Sequence, residues 1–309
     1  MPELRLEQRN APRLALAAAC GAAFLWGTGA LVVNLLIARH GFTPENISFW
    51  RFTVGAVVLL AVYGRPAVWP ALWPALRAQG WLLLGAGSCM ALYVLAWFMG
   101  IARIGAAIPT LIALCLPPVL VTLLAVLRGQ DKLDLPLATV LTAALGGTAL
   151  IVLRHGGTAA AVAGDVMLAG VGFSLASAGL YAGFTLVSGR LSQRLGAGPA
   201  TMGLTVVAAV VMALSALYQP LHWPTELPPE AWLLYLGVVT AALALLAFSW
   251  GAARLSPTAL TVATLVEPLT AVLLSALVLK QTMALAQWAG AALLLAAIWG
   301  LSRRTGMHA

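Results

Sequence analysis

Ten apolar runs, each of about twenty residues, constrain this chain more than any other feature. They cover about 13–38, 46–64, 80–101, 105–127, 135–153, 166–188, 199–218, 231–252, 256–279 and 284–302. A bilayer core is crossed by about 20 apolar residues of helix. In lipid only a helix or a closed barrel satisfies its own backbone groups. The spacing therefore predicts an all-α polytopic membrane protein with ten transmembrane helices. Composition agrees, since 62% of the chain is hydrophobic and only 8% charged, whereas a soluble domain carries about a quarter charged residues.

The charges that remain give an orientation. Seventeen Lys and Arg stand against nine acids, and they punctuate the ends of the runs instead of clustering on one face. No nucleic-acid partner is expected. With the N-terminus in the cytoplasm, twelve basic residues fall inside: Arg5, Arg9, Arg13, Arg65, Arg77, Arg128, Lys132, Arg190, Arg194, Arg254, Arg303 and Arg304. Five fall at outer ends: Arg39, Arg51, Arg103, Arg154 and Lys280. That bias places both termini on the cytoplasmic side of an inner membrane. Trp69, Trp73, Trp81, Trp223, Trp232, Trp288 and Trp299 sit near run ends, where indoles favour the headgroup region. Residues 65–79, with the pattern WPALWPAL, read as an interfacial connector. The first run stays apolar well past Cys20, too far for a cleaved signal, and reads as a retained helix. Cys20, Cys89 and Cys115 lie inside apolar runs without ligand spacing, so neither a disulfide framework nor a metal site is expected.

An internal repeat appears at an offset of 151 residues. Residues 100–130 lie over 251–281 with ten identities: Gly100/Gly251, Ala102/Ala253, Arg103/Arg254, Thr110/Thr261, Leu114/Leu265, Pro117/Pro268, Val121/Val272, Leu123/Leu274, Ala125/Ala276 and Gln130/Gln281. Trp81 over Trp232 extends it upstream. Each unit holds five helices, an odd number, so equivalent helices cross in opposite directions. Such inverted repeats supply the two exchangeable conformations of alternating access. The expected division is a tail 1–12, repeats 13–155 and 156–302, and a tail 303–309. One chain already carries the pseudo-symmetry, so a monomer suffices.

Glu267 is the acid placed deep within a run. A charge at the bilayer centre costs about 3 kcal/mol on insertion scales, so it must face a cavity, pair or stay protonated. It can receive a substrate ammonium or exchange a proton; the plainer reading is a protonated Glu bonded to a neighbouring helix. Thr258, Thr261, Thr264, Glu267 and Thr270 recur every third residue, and Thr261 and Thr264 share one broad sector with the acid. Helix packing explains them as well as substrate contact does. Pro117, Pro118 and Pro268 sit in equivalent helices, where a hinge, a cavity-lining carbonyl or a static kink is expected. Arg51 either snorkels to the outer headgroups or binds a substrate carboxylate. Trp26 falls mid-helix, as a stacking surface, a gate or core filling. Tyr93, Trp97, Tyr181 and Trp250 are weaker aromatic candidates, with Thr28 and Asn34 as polar ones. The pairs Gly179/Gly183 and Gly146/Gly147 read as close helix packing.

These residues resemble a known family. The duplicated five-helix unit is similar to the EamA-type branch of the drug/metabolite transporter superfamily over nearly the whole chain. Leu25-Trp26-Gly27-Thr28, Phe49-Trp50-Arg51-Phe52, Gly251-Ala-Ala-Arg254 and Glu267-Pro268-Leu269 carry the likeness. The family commonly closes its fourth-helix run with Leu-Gly-Glu. Here that run ends Leu127-Arg128-Gly129-Gln130 and Leu279-Lys280-Gln281, so no role of that acid transfers. Within the family the chain most resembles bacterial aromatic amino-acid exporters. The resemblance implies a secondary transporter exporting small amphipathic metabolites, amino acids included. No GxxxxGK[ST] motif occurs, so ATP does not drive it directly and no cofactor is expected. One intramembrane acid permits proton coupling and does not demand it. Carriers of sugar phosphates or nucleotides need several buried cations, and cationic-drug efflux would use Glu267 and the aromatics. An integral-membrane enzyme is the alternative of another class, disfavoured because His40, His155, His222 and His308 all fall in loops or tails.

Overall fold

Caps and prolines set where the helices begin. Thr43 precedes Pro44, and its Oγ1 accepts the Asn46 N–H at 3.3 Å. Ser256 precedes Pro257 and accepts the Ala259 N–H at 3.2 Å. Asp134 accepts the Leu137 N–H at 2.9 Å, with Pro136 in the first turn. Each cap satisfies a donor that the helix leaves free, and each proline stands where its missing N–H costs nothing. Gly41, at a φ of 68°, closes the first helix: its N–H returns to the Ile37 carbonyl at 3.2 Å.

The computed structural model describes residues 2–67, 69–104, 107–129, 134–153, 164–278 and 284–307. These form thirteen helices and no strand: α1 Pro2–His40, α2 Pro44–Tyr63, α3 Trp69–Ala78, α4 Gly80–Ile104, α5 Ala107–Leu127, α6 Leu135–Leu153, α7 Gly164–Leu195, α8 Ala197–Ala213, α9 Pro229–Tyr235, α10 Ala244–Ala252, α11 Pro257–Ala263, α12 Val266–Val278 and α13 Leu285–Met307. A wider, π-type stretch, Leu236–Leu243, joins α9 to α10, so 229–252 runs as one rod. Together, α11 and α12 make one broken rod. Seven of these rods are long and apolar enough to cross a membrane; α6 and α13 are shorter apolar helices, and the broken rod completes ten. The expected spans match these rods, with α3 as the connector. The proposed repeat boundary at 155/156 lies outside the described residues. So do Gln130, Lys132, Arg154, His155, Lys280, Gln281 and His308.

Packing follows the duplication. With α1, α2, α4, α5 and α6 taken as one five-helix set, the second set is α7, α8, α9–α10, α11–α12 and α13. α4 packs on α7 as α9–α10 packs on α1, and α5 on α7 as α11–α12 on α1. α2 lies against α8, and α6 against α13, each with its own counterpart. That exchange is what a pseudo-twofold between two five-helix units produces. With five crossings per unit the axis lies in the membrane plane.

Glycines let the rods close. A Cβ on Gly147 of α6 would stand 2.7 Å from the Gly290 carbonyl of α13, and one on Gly189 of α7 would stand 2.7 Å from that of Ala252. The other expected packing glycines behave differently, because a Cβ on Gly146, Gly179 or Gly183 meets nothing within 4 Å among the described residues. Those three therefore do not mark close helix contacts. Trp81 is 88% exposed, and Trp69, Trp73, Trp288 and Trp299 are exposed too. Trp223 instead packs on Trp50 at 4.8 Å, and Trp232 on His40 at 5.4 Å.

Candidate functional site

Pro268 breaks the ninth rod. Lacking an N–H, it cannot bond the Thr264 carbonyl four residues back, and its ring crowds that carbonyl. Glu267 N–H takes the carbonyl instead, at 3.0 Å, in a tighter turn. Leu265 N–H likewise bonds Val262 at 3.1 Å, leaving the Thr261 carbonyl without its helical donor. The Thr264 hydroxyl fills that vacancy, donating to Thr261 O at 2.8 Å. The result is a buried helix break whose second half opens with Glu267.

Opposite this break, the eighth rod has a second irregularity. In the Leu236–Leu243 stretch the Ala244 N–H reaches back to Val239, so the Thr240 carbonyl loses its usual helical partner. The indole N–H of Trp26 donates to it at 2.9 Å. Wider turns of this kind recur at functional sites because they turn backbone groups outward.

Between these two irregular segments lies a cavity. Its walls come from α1 (Trp26, Gly29, Ala30, Val33), α2 (Arg51), α4 (Tyr93, Val94, Trp97, Phe98), α5 (Ala113, Leu114), α7 (Ser177, Tyr181), the wide stretch (Leu236, Thr240) and α12 (Glu267). An adjoining cavity shares Ala30, Val33, Trp97, Phe98 and Glu267, and adds Asn34, Ile101, Thr110, Pro268 and Ala271. Arg51, Leu236 and Trp97 each lie about two turns from helix ends on the side opposite the termini. The cavity is thus offset toward that side. Toward the termini it is closed by aromatics: Phe184 stacks on Phe248 at 5.6 Å, and Trp26 tilts against Phe248 at 5.4 Å. Both phenylalanines are fully buried.

Charge on these walls is opposed. Arg51 is 8% exposed and Glu267 7%, so both carry their groups into the protein. Arg51 does not snorkel. Its guanidinium lies 5.5 Å from the centre of the Phe52 ring, and its Nε has no hydrogen-bond partner among the described residues. Tyr93 and Tyr181 form an aromatic shelf, with ring centres 5.0 Å apart. Tyr181 O–H donates to Thr264 Oγ1 at 3.1 Å. Trp97 N–H donates to Thr110 Oγ1 at 3.3 Å.

Of the residues singled out in the sequence, Trp26, Arg51, Tyr93, Trp97, Tyr181 and Glu267 line the main cavity, and Asn34 the adjoining one. Thr261 and Thr264 are buried in the break itself. Thr28 bonds Tyr235 and the Leu25 carbonyl, tying α1 to α9. Trp250 faces a different, open groove with Tyr63 and Gly198, under the Arg254 guanidinium at 4.0 Å. Pro117 and Pro118 stay within an unbroken α5. The carbonyls they deprive of donors belong to Ala113 and Leu114, two residues of the cavity wall. Ser177 and Thr240 also line the cavity; neither stands out in an apolar run rich in Ser, Thr and Ala. No cluster of three or more His, Cys, Asp or Glu suited to a metal occurs among the described residues.

A polytopic bundle of two five-helix units, enclosing a polar and aromatic cavity between two helix irregularities, defines a small-molecule transporter fold. The EamA-like transporter family profile matches the chain twice, over residues 13–153 and 168–303, and the chain belongs to that family. It is 30% identical over 287 residues to an uncharacterized transporter of Bacillus subtilis (strain 168), YwfM, covering 89% of this chain and 88% of that protein. A solved crystal structure, described only as that of a protein, shares the fold with a TM-score of 0.75 at 21% identity, over 94% of this chain and 98% of its own. This is a multi-pass membrane transporter.

Proposed function

We propose that the chain is a secondary transporter exporting zwitterionic metabolites, aromatic amino acids among them, by alternating access. The observation that carries this reading is the buried Arg51 and Glu267 on the walls of one aromatic cavity. An α-amino acid offers a carboxylate for Arg51, whose Nε is left without a hydrogen bond among the described residues, and an ammonium for Glu267. The rings of Trp26, Tyr93, Trp97 and Tyr181 supply apolar and stacking surface for its side chain. A sugar phosphate would meet a single guanidinium beside a carboxylate, a poor match for its charge. An organic cation would meet Arg51 as a like charge. The positive-inside bias supports a topology with both termini cytoplasmic, in which the cavity is offset toward the outside, and the exporter reading assigns this carrier to a bacterial inner membrane. The repeats 13–155 and 156–302 are the two halves that rock, and one chain suffices.

The test is uptake of labelled phenylalanine, tryptophan, threonine and a sugar phosphate into proteoliposomes, with Glu267→Gln and Arg51→Gln beside wild type. Saturable amino-acid uptake by wild type, with the Michaelis constant raised about tenfold or more in either variant, is expected. Uptake of the sugar phosphate alone, or amino-acid uptake indifferent to both substitutions, overturns the reading. A pH gradient imposed across the same vesicles separates proton coupling from facilitated diffusion.

A further inference from the structure

We infer that Tyr181 is a positioning residue for Glu267: its hydroxyl latches the α11–α12 break and so fixes where the carboxylate enters the cavity. The inference rests on the reading of this cavity as the substrate site. It begins with an imbalance in the backbone. The break leaves the Thr261 carbonyl without a helical donor, and the Thr264 hydroxyl supplies one at 2.8 Å. That rotamer turns the Thr264 oxygen's lone pairs toward α7, where Tyr181 O–H donates to it at 3.1 Å. The chain of donors therefore runs Tyr181 to Thr264 to Thr261, all three residues buried. At the same residue the Thr264 carbonyl accepts Glu267 N–H at 3.0 Å. Thr264 thus receives the latch on its side chain and orients Glu267 through its main chain.

Tyr181 is also half of the shelf on which a substrate ring would lie, 5.0 Å from Tyr93. It packs further on Phe184 at 6.3 Å, and so on the aromatic closure. The ring surface that senses the substrate and the turn that carries the acid are joined through one hydroxyl. A helix break in a membrane persists only where its freed groups are re-satisfied. This latch comes from the first helix of the same repeat, so it holds the acid in register with the Tyr181 half of the shelf as the repeat moves.

The test is hydrogen–deuterium exchange of the peptide spanning the break, on full-length protein in nanodiscs, for wild type, Tyr181→Phe, Thr264→Val, Thr264→Ser and the double variant Tyr181→Phe/Thr264→Val. Tyr181→Phe keeps the ring and removes only the donor. It should speed exchange of the amides at 265–267 and 269 by about fivefold, the value of one neutral hydrogen bond. Thr264→Val should speed it at least as much, and adding Tyr181→Phe on that background should change nothing further. Thr264→Ser should retain wild-type exchange. Unaltered exchange in Tyr181→Phe, or effects that simply add in the double variant, overturns the latch whatever the substrate proves to be. Where wild type takes up phenylalanine, Tyr181→Phe should raise the Michaelis constant with the thermal midpoint within a few degrees of wild type. Failure of uptake in wild type counts against the substrate reading alone, because the exchange experiment needs no substrate.

Discussion

Gly27 gives the sharpest test of how α1 supports the acid. A Cβ at this position would stand 2.6 Å from the Glu267 carbonyl oxygen, 2.6 Å from Thr270 Cβ and 3.0 Å from Thr270 Cγ2. Non-bonded carbon contacts settle near 3.5–4.0 Å, so Gly27→Ala must push α1 and the first turn of α12 apart by about 1 Å. Overpacking of this kind costs about 1–3 kcal/mol. Replacing Gly by Ala in a helix returns about 0.5–1 kcal/mol, and the net expectation is a loss of about 1–2 kcal/mol. Gly21, on the same helix, is the matched control, since a Cβ there meets nothing within 4 Å. Gly21→Ala should therefore gain what Gly27→Ala cannot. The assay is tryptophan-fluorescence thermal unfolding in one detergent at one scan rate, alongside uptake in proteoliposomes. At about 2–4 °C per kcal/mol, Gly27→Ala should melt about 4 °C below wild type and Gly21→Ala slightly above it. Displacing the Glu267 turn by about 1 Å should also slow uptake about tenfold or more. Equal midpoints and equal uptake for the two alanine variants would falsify the claim that α1 backs the acid.

Trp26→Phe keeps a ring against Phe248 but removes the donor to the Thr240 carbonyl; a midpoint about 2–4 °C lower is expected, from the loss of about 1 kcal/mol, and thermal unfolding reads it. Gly147→Ala drives α6 into the Gly290 carbonyl of α13 at 2.7 Å, away from the cavity walls. It should lower the midpoint by several degrees and leave the Michaelis constant unchanged, which separates packing from binding in the same pair of assays. Substituting Ser256 by Ala removes the side chain that caps α11 at 3.2 Å; a loss of about 1 kcal/mol in thermal stability is expected.

Much of this architecture is legible in residue order. The apolar runs end where charges and prolines fall, and each expected span lies on one described rod, although α1 begins well before residue 13 and α7 continues past residue 188 to Leu195. The 151-residue offset gives the number five, and with it the inversion. The irregularities are where legibility stops. The run 256–279 reads as one continuous helix, because hydropathy records side chains and not which carbonyl a proline leaves without a donor. Pro268 signals a kink equally well at Pro117, where α5 nevertheless continues. Thr264, with a hydroxyl able to replace the lost bond, separates the two cases, since its counterpart in α5 is Ala113. No residue announces the wide turns at 236–243, where Trp26 reaches across from α1 to the freed Thr240 carbonyl. Arg51 looks peripheral when counted along α2 alone; it is central because the cavity extends toward that end. Trp250 shows the converse: it stands one turn from Arg254, and therefore near the termini-side face, away from the cavity.

The same comparison shows where the two halves have stopped being equivalent. At the repeat offset, Glu267 falls on Leu116 and Arg51 on Met202. Each half therefore contributes one charge to the shared cavity, and its counterpart in the other half is apolar. The cation comes from α2 of the first repeat and the anion from α12 of the second. A ligand that holds both is bound across the pseudo-twofold, and any rocking of one repeat on the other changes the distance between its two anchors. A ligand bound by one charge alone would have a single polar anchor and feel such a change only through the rings. Differential affinity between two states is what lets a ligand shift their balance, so a zwitterion spanning the repeats gains a hold on the conformational equilibrium that a simple cation or anion lacks. Aromatic amino acids should therefore compete for uptake far better than their amides or their decarboxylated amines, even though every ring contact is retained. Equal inhibition by phenylalanine and phenethylamine would place binding on the rings and Glu267 alone, and Arg51 would then have no part in recognition.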